Sequence, residues 1–242
     1  MNELAGLFDR YKNIVVFDTE TTGLNFDKDQ IIELAAVKLT RDDRGNLVFE
    51  REIDEFIRLL DGQKLDPFIV NLTGITDEML EKDGITYSEA SDIFYSLISD
   101  APTLLVAHNA QFDLMFVRRL LKGKKFTHAL DFLDSLTVYK DRRPFPHKLQ
   151  NAIEAYGLEG KVQNSHRAID DVKALVEVLI AMDMERTDLH LYINLFGFNA
   201  KYGISGCKIR GVHYLPQYYH DKKTLVEETL YSYFKAVPSA EV

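Results

Sequence analysis

One cysteine, Cys207, stands among 242 residues. No disulfide can close within such a chain, and the composition suits a reducing compartment. No run approaches the roughly 18 uninterrupted apolar residues that a membrane span needs. Residues 1–10 lack the basic start and long apolar stretch of a secretory signal. A cytoplasmic location with no membrane partner is therefore expected. An excess of positive charge is also lacking, since 29 Lys and Arg face 38 Asp and Glu. The formal net charge is −9, which argues against a broad electrostatic footprint on duplex DNA but leaves room for a small nucleic-acid site. Internal repeats, low-complexity tracts and coiled-coil heptads are missing as well. The remaining sequence is 46% hydrophobic and 28% charged, as in globular proteins. Its length allows one substantial core and is short for two.

The chain is organised around the run IVVFDTETTGL at residues 14–24. Its apolar, Val-rich start reads as a buried strand. Side chains alternate along a strand, so Ile14, Val16, Asp18 and Glu20 share one face. Two carboxylates are thus presented side by side, and they repel unless a cation lies between them. Hard divalent ions such as magnesium take oxygen ligands of this kind. Alone, the pair also fits a strand with a polar, turn-making end. Its chemical meaning depends on acids further along.

Residues 31–39 and 47–57 read as two more strands around a hairpin turn at 42–46, an antiparallel meander. Irregular chain is expected around Asp66 and Pro67, a short helix over 77–81 and a longer one over 88–99. A strand at 103–107, a helix at 110–121 and a strand at 129–133 then alternate, which implies parallel additions to the sheet. On the helix at 110–121, Asp113 lies in phase with Phe116, Val117, Leu120 and Leu121. A carboxylate turned toward a core is costly unless it is paired or metal-bound. Residues 142–146 read as a rigid basic loop and 147–156 as a helix closed by Gly157.

A third acidic motif follows in SHRAIDDV at 165–172. The helix beyond it has apolar positions Val172, Leu175, Val176, Leu179 and Ile180. At about 100° per residue, Asp170 falls nearly opposite that face and Asp171 on its edge. The phase selects Asp171 as the ligand. His166, just ahead of the helix, is a candidate for proton transfer, although a lone surface histidine would look the same. Beyond about residue 182 the pattern weakens. Residues 201–223 interleave Lys201, Lys208, Arg210, Lys222 and Lys223 with Tyr202, Tyr214, Tyr218 and Tyr219. Such a mixture either stacks bases and tracks phosphates or braces an extension against the main domain. The brace is the expectation here.

Taken together, DTETTGL at 18–24, HNAQFD at 108–113 and His166 five residues before Asp171 resemble the three motifs of DnaQ-like 3′–5′ exonucleases of the DEDDh group. LTGIT at 72–76 is similar to the proofreading exonuclease domains of bacterial DNA polymerase III. The likeness covers roughly residues 10–185. It implies a ribonuclease H-like α/β fold, with a mixed five-stranded sheet flanked by helices and residues 186–242 as an extension. It also implies two divalent ions, Mg2+ or Mn2+. Asp18, Glu20 and Asp171 would hold the first ion, Asp18 and Asp113 the second. His166 would be the general base. Thr19 and Thr21 would line the terminal nucleotide and Leu24 would wedge against the last bases, with His108, Asn109 and Phe112 near the scissile end. The implied substrate is a single-stranded DNA or RNA 3′ end, and a DNA polymerase is a possible partner. An RNA-trimming or oligonucleotide-degrading enzyme, or a polymerase-associated binding subunit, are the other readings.

Overall fold

A computed structural model describes residues 3–60, 62–162, 167–217 and 225–226. Its centre is strand β1 (Asn13–Thr21), whose apolar half is buried on both faces. Strand β2 (Ile31–Arg41) runs antiparallel to it and is buried from Ile31 through Leu39. Burial along that length, with Glu33 and Lys38 as the charged exceptions, is what a doubly covered strand shows. Strand β3 (Leu47–Phe56) pairs antiparallel with β2 at the sheet edge and buries only Ile53. On the other side, β4 (Thr103–Ala107) and β5 (Asp131–Asp134) add in parallel. The order β3-β2-β1-β4-β5 is the mixed sheet expected from the sequence.

Helices cover both faces. One face packs Val15 and Phe17 against α4 (Tyr87–Ile98) and α5 (Ala110–Leu120), through Phe94, Leu97, Phe116 and Val117. The other packs Ile14, Val16 and Val37 against α8 (Ala168–Glu185), through Val172, Leu175 and Leu179. Helices α1 (Ala5–Phe8), α6 (Ser135–Arg142) and α7 (Leu149–Ala155) fill out that second layer.

Three local expectations need correction. The chain after Asp66 is helical, α2 (Pro67–Thr73), because the Asp66 carboxylate accepts from the Phe68 amide and Pro67 opens the first turn. Helix α3 (Asp77–Asp83) follows, capped by Thr76. Second, α6 starts directly at the end of β5, where the sequence reading left residues unassigned. Third, Arg142 closes α6 instead of belonging to a solvent-facing basic loop. Its guanidinium is fully buried, bonded to the Met182 carbonyl at 2.6 Å and paired with Asp188 at 2.5 Å.

Beyond α8, a 3-10 turn (Leu189–Tyr192) leads to β6 (Leu195–Phe198), which pairs in parallel with β7 (His213–Pro216). Asn194 ties this segment to the sheet edge. Its amide donates to the Phe132 carbonyl at 2.7 Å, and its side chain accepts from the Phe132 amide and donates to Asp131. Of the basic and aromatic residues singled out at 201–223, Tyr218, Tyr219, Lys222 and Lys223 lie outside the described residues.

Candidate functional site

In α/β sheets, ligands gather beyond the carboxyl ends of parallel strands where the strand order changes direction. Here that place is the end of β1, between antiparallel β2 and parallel β4. Asp18 faces the small Ala35 across the β1–β2 pair, and Glu20 faces Glu33. The first turn of α8 brings Asp171 over them. One oxygen from each of Asp18, Glu20 and Asp171 lies within 4.8 Å of the others. Asp170, one residue earlier on α8, is not in this group.

Burial and mutual repulsion raise all three carboxyls. Asp18 is pushed well above the ordinary carboxylate range by desolvation, then by Asp113, Asp171 and its other acidic neighbours. Glu20 rises to about 8, through desolvation and then Glu33. Asp171 rises to about 7, through desolvation and then Asp170. Oδ1 of Asp171 is buried with no hydrogen-bond partner. A cluster of hard oxygens with one unpartnered buried atom fits a divalent cation, which would relieve both the repulsion and the missing bond.

Asp113, on α5, approaches from the opposite face of the sheet and is 3% exposed. Its Oδ1 accepts from the Thr19 amide at 3.1 Å and the Thr19 hydroxyl at 2.8 Å. Desolvation still raises it to about 7. It stands beside the three-acid group with one oxygen already held. His166 lies outside the described residues; its neighbour Arg167 is the N-cap of α8.

The turn holding His108 and Asn109 is built by a residue that sequence reasoning missed. Asn109 caps α5 in the left-handed conformation, φ 73°. Its amide and that of Ala110 donate to Asp134 Oδ1 at 3.0 and 3.1 Å. The same carboxylate receives Leu136 and Thr137 at the start of α6. One buried acid therefore fixes two helix starts. His108 is engaged at both ring nitrogens, Nδ1 at 2.9 Å from the Ser135 hydroxyl and Nε2 at 3.0 Å from the His147 carbonyl. Burial lowers its pKa, so the ring stands neutral as a tie between elements.

Glu33 is the second residue missed. It is fully buried and accepts from Arg167 Nε at 2.9 Å, Arg167 Nη2 at 2.8 Å and the Ala168 amide at 3.1 Å. Arg167 has no side-chain cap to offer α8, and Glu33 supplies the anion that a helix start favours. An acid inside the apolar run IIELAAV was the available signal.

Two clefts flank the carboxylates. The first, about 710 Å³, is lined by residues 19–24, Asp66, Phe68, Ile69, Leu72 and Phe112. Leu24 on its rim is 83% exposed, on a loop held to α5 by Arg119, which donates to the Phe26 and Asp29 carbonyls. A Cβ on Gly23 would meet the Asp29 carboxylate at 2.5 Å, so a larger residue behind Leu24 would push that carboxylate off its bonds to Thr22 and the Asn25 amide. The second cleft, about 450 Å³, begins at Asp171 and includes His108, Asn109, Leu136, Lys140, Phe145, His147 and Lys148.

The exonuclease family (RNase T) matches residues 15–179. The DNA polymerase III PolC-type protein of Caldanaerobacter subterraneus subsp. tengcongensis is 36% identical over 173 residues, 69% of this chain and 11% of that protein. Its Staphylococcus aureus counterpart is 37% identical over 181 residues, 72% of this chain and 12% of that protein. The chain thus spans about a tenth of the length of these relatives. Among solved structures, E. coli Exonuclease I in complex with a dA16 oligonucleotide superposes with a TM-score of 0.63 at 21% identity, over 75% of this chain and 42% of that one. Exonuclease I of Methylocaldum szegediense gives 0.61 at 20% identity, over 74% of this chain and 42% of that one. At these identities the likeness concerns the fold.

Proposed function

The chain belongs to the RNase T exonuclease family, and from that premise we propose that it hydrolyses phosphodiester bonds at the 3′ end of single-stranded or frayed DNA. The products would be nucleoside 5′-monophosphates. The observation that carries this reading is the meeting of Asp18, Glu20 and Asp171 within 4.8 Å at the junction of two clefts.

In this reading Asp18, Glu20 and Asp171 would hold one divalent ion and Asp18 with Asp113 a second, Mg2+ or Mn2+, which when bound supply charge neutralisation and activation of water. Everything else is the chain's own work. Thr19 keeps Asp113 in place while its backbone borders the first cleft, and Leu24 and Phe112 offer apolar surface to the terminal base. Thr21 donates to the Gly23 carbonyl at 2.7 Å and so shapes the turn that presents Leu24. Asn109 lines the opposite wall, and His108 reaches the site as a rigid part of that wall. His166 would accept the proton of the attacking water, a task for which imidazole basicity is suited. The polymerase III relatives make a DNA polymerase the partner we propose, with proofreading or repair as the setting.

The test is digestion of 5′-labelled single-stranded DNA, mispaired primer and RNA, with products identified. DNA shortened one nucleotide at a time from the 3′ end, chelator-sensitive and reduced about 10²-fold by His166→Ala, is the expected result. Release of the 5′ label as a mononucleotide, or undiminished turnover in excess chelator, would refute the assignment.

A further inference from the structure

We propose that residues 195–217 form a wall of the substrate path, so that nucleic acid upstream of the scissile bond runs through the second cleft and on into a third that this segment builds. The proposal rests on the exonuclease reading and deepens it. The third cleft, about 140 Å³, shares Asn109, Leu136 and Lys140 with the second. Its far wall is Phe196–Asn199, Gly203–Ser205 and Tyr214. A continuous floor therefore leads from Asp171 to the C-terminal segment. The family match ends at residue 179, so this wall lies beyond it.

Charge sets the direction of the strand. The first cleft has no cation among its lining residues and suits a terminal base. The strand upstream carries a phosphate at every step, and it leaves by the flank that holds Lys140 and Lys148. Phe145, 74% exposed, stands at that flank as a surface for base stacking. Asp134 also lines the third cleft, but it is 5% exposed and accepts five hydrogen bonds from Asn109, Ala110, Leu136 and Thr137. Its oxygens are therefore engaged by the chain's own donors and form the buried base of the cleft, not its exposed lining.

The wall is fixed to the catalytic helix. Gln111, on α5 two residues before Asp113, donates to the Ser205 carbonyl at 2.6 Å and the Cys207 carbonyl at 3.1 Å. Its own oxygen accepts from the Tyr214 hydroxyl at 2.7 Å, and that hydroxyl accepts from the Ile209 amide. The Tyr214 ring packs edge-on against Phe196 at 5.9 Å. Lys201, Lys208 and Arg210 are exposed on the same segment, where they add to the pull on a phosphate backbone.

The experiment measures binding of 5′-fluorescein oligothymidylates of two to eight nucleotides to the full chain by anisotropy, with Ca2+ in place of Mg2+. Two variants are compared with the wild type. Ser205→Trp fills the third cleft from its rim and keeps the carbonyl that Gln111 uses; Lys140→Ala removes the cation common to both clefts. Affinity should rise with length in the wild type. Ser205→Trp should leave the dinucleotide unchanged and weaken the octamer about tenfold, the loss of roughly one stacked nucleotide. Lys140→Ala should reduce the salt slope by about 0.7, the value of one phosphate contact on a single strand. Wild-type affinity that ignores length while 3′ hydrolysis is intact would overturn the path alone. So would an octamer insensitive to both variants. Absence of 3′ hydrolysis by the wild type would instead fell the exonuclease reading and this path with it.

Discussion

The two flanks of the carboxylate group are built from different materials. On the β1 side the wall is Leu24, Phe68, Ile69, Leu72 and Phe112, with no cation among the lining residues. On the α8 side it holds Lys140, Lys148 and two histidines, both placed by hydrogen bonds to carbonyls. Apolar surface recognises a base, whatever its identity, by stacking and burial. Cations recognise the backbone. On the exonuclease reading proposed above, a site with one flank of each kind would accept any sequence and still tell the end of a strand from its middle.

Removing the pivot between the flanks should have the largest effect. Asp18→Asn should reduce cleavage on the order of a thousandfold, the scale of several kcal/mol of charge stabilisation lost with a bound ion. The same substitution should raise the melting temperature of the chelated protein. Asp18, Glu20, Asp113 and Asp171 all hold protons more tightly folded than unfolded, Glu20 to about 8 and the last two to about 7. The folded state then binds more protons at this cluster, so the stability these four groups contribute without metal is full below about pH 4 and declines as pH rises toward 8. Calorimetry in chelator should show that decline, with Mg2+ flattening it. A melting temperature that climbs over this window would contradict the placement of the acids.

Loosening one flank comes next. Arg167→Ala leaves the buried Glu33 without its partner, at a cost of about 3 kcal/mol. The Mg2+ concentration for half-maximal rate should rise with it, because Asp171 sits on the turn that Glu33 holds. Arg167→Lys should recover part of both. Stability lost with an unchanged metal requirement would make the pair a brace with no bearing on the site.

Blunting the apolar flank should cost less. Phe68→Ala or Leu24→Ala should lower kcat/KM by roughly tenfold, within the range of one lost base contact, and leave the salt dependence as it was. A changed salt slope would mean that backbone, not base, lies on this side. The smallest effect belongs to Asp170→Asn, within about half a kcal/mol in denaturant titration. Activity lost as fully as in Asp171→Asn would show that both neighbours serve the site.

Much of this arrangement was legible because it obeys short periods. The alternation that sets Asp18 beside Glu20, and the helical phase that separates Asp171 from Asp170, need only a few residues of context. The five strands followed from Val, Ile and Leu runs with turn residues between them. Helix α2 was missed because its start depends on a single Asp66 cap ahead of Pro67, which reads locally as a turn. Arg142 looked like part of a basic loop, since its partners Asp188 and the Met182 carbonyl are more than 35 residues away. Glu33 and Asp134 were passed over for the same reason: each acts on a helix start remote in sequence or across a turn. Local pattern finds the acids that meet at the end of β1. It does not find those that hold them.

The bond between Glu33 and Arg167 spans 134 positions of chain, and that between the Leu4 amide and Asp183 at the far end of α8 spans 179. Closing such loops is slow, because chain entropy is lost before the contact rewards it. During refolding, the hairpin of β2 and β3 and the local helices can form early, while Asp171 reaches Asp18 only once α8 has docked. Affinity for a divalent ion should therefore return in the slowest phase, and the ion, by binding only the finished arrangement, would act as a latch on the last step of folding.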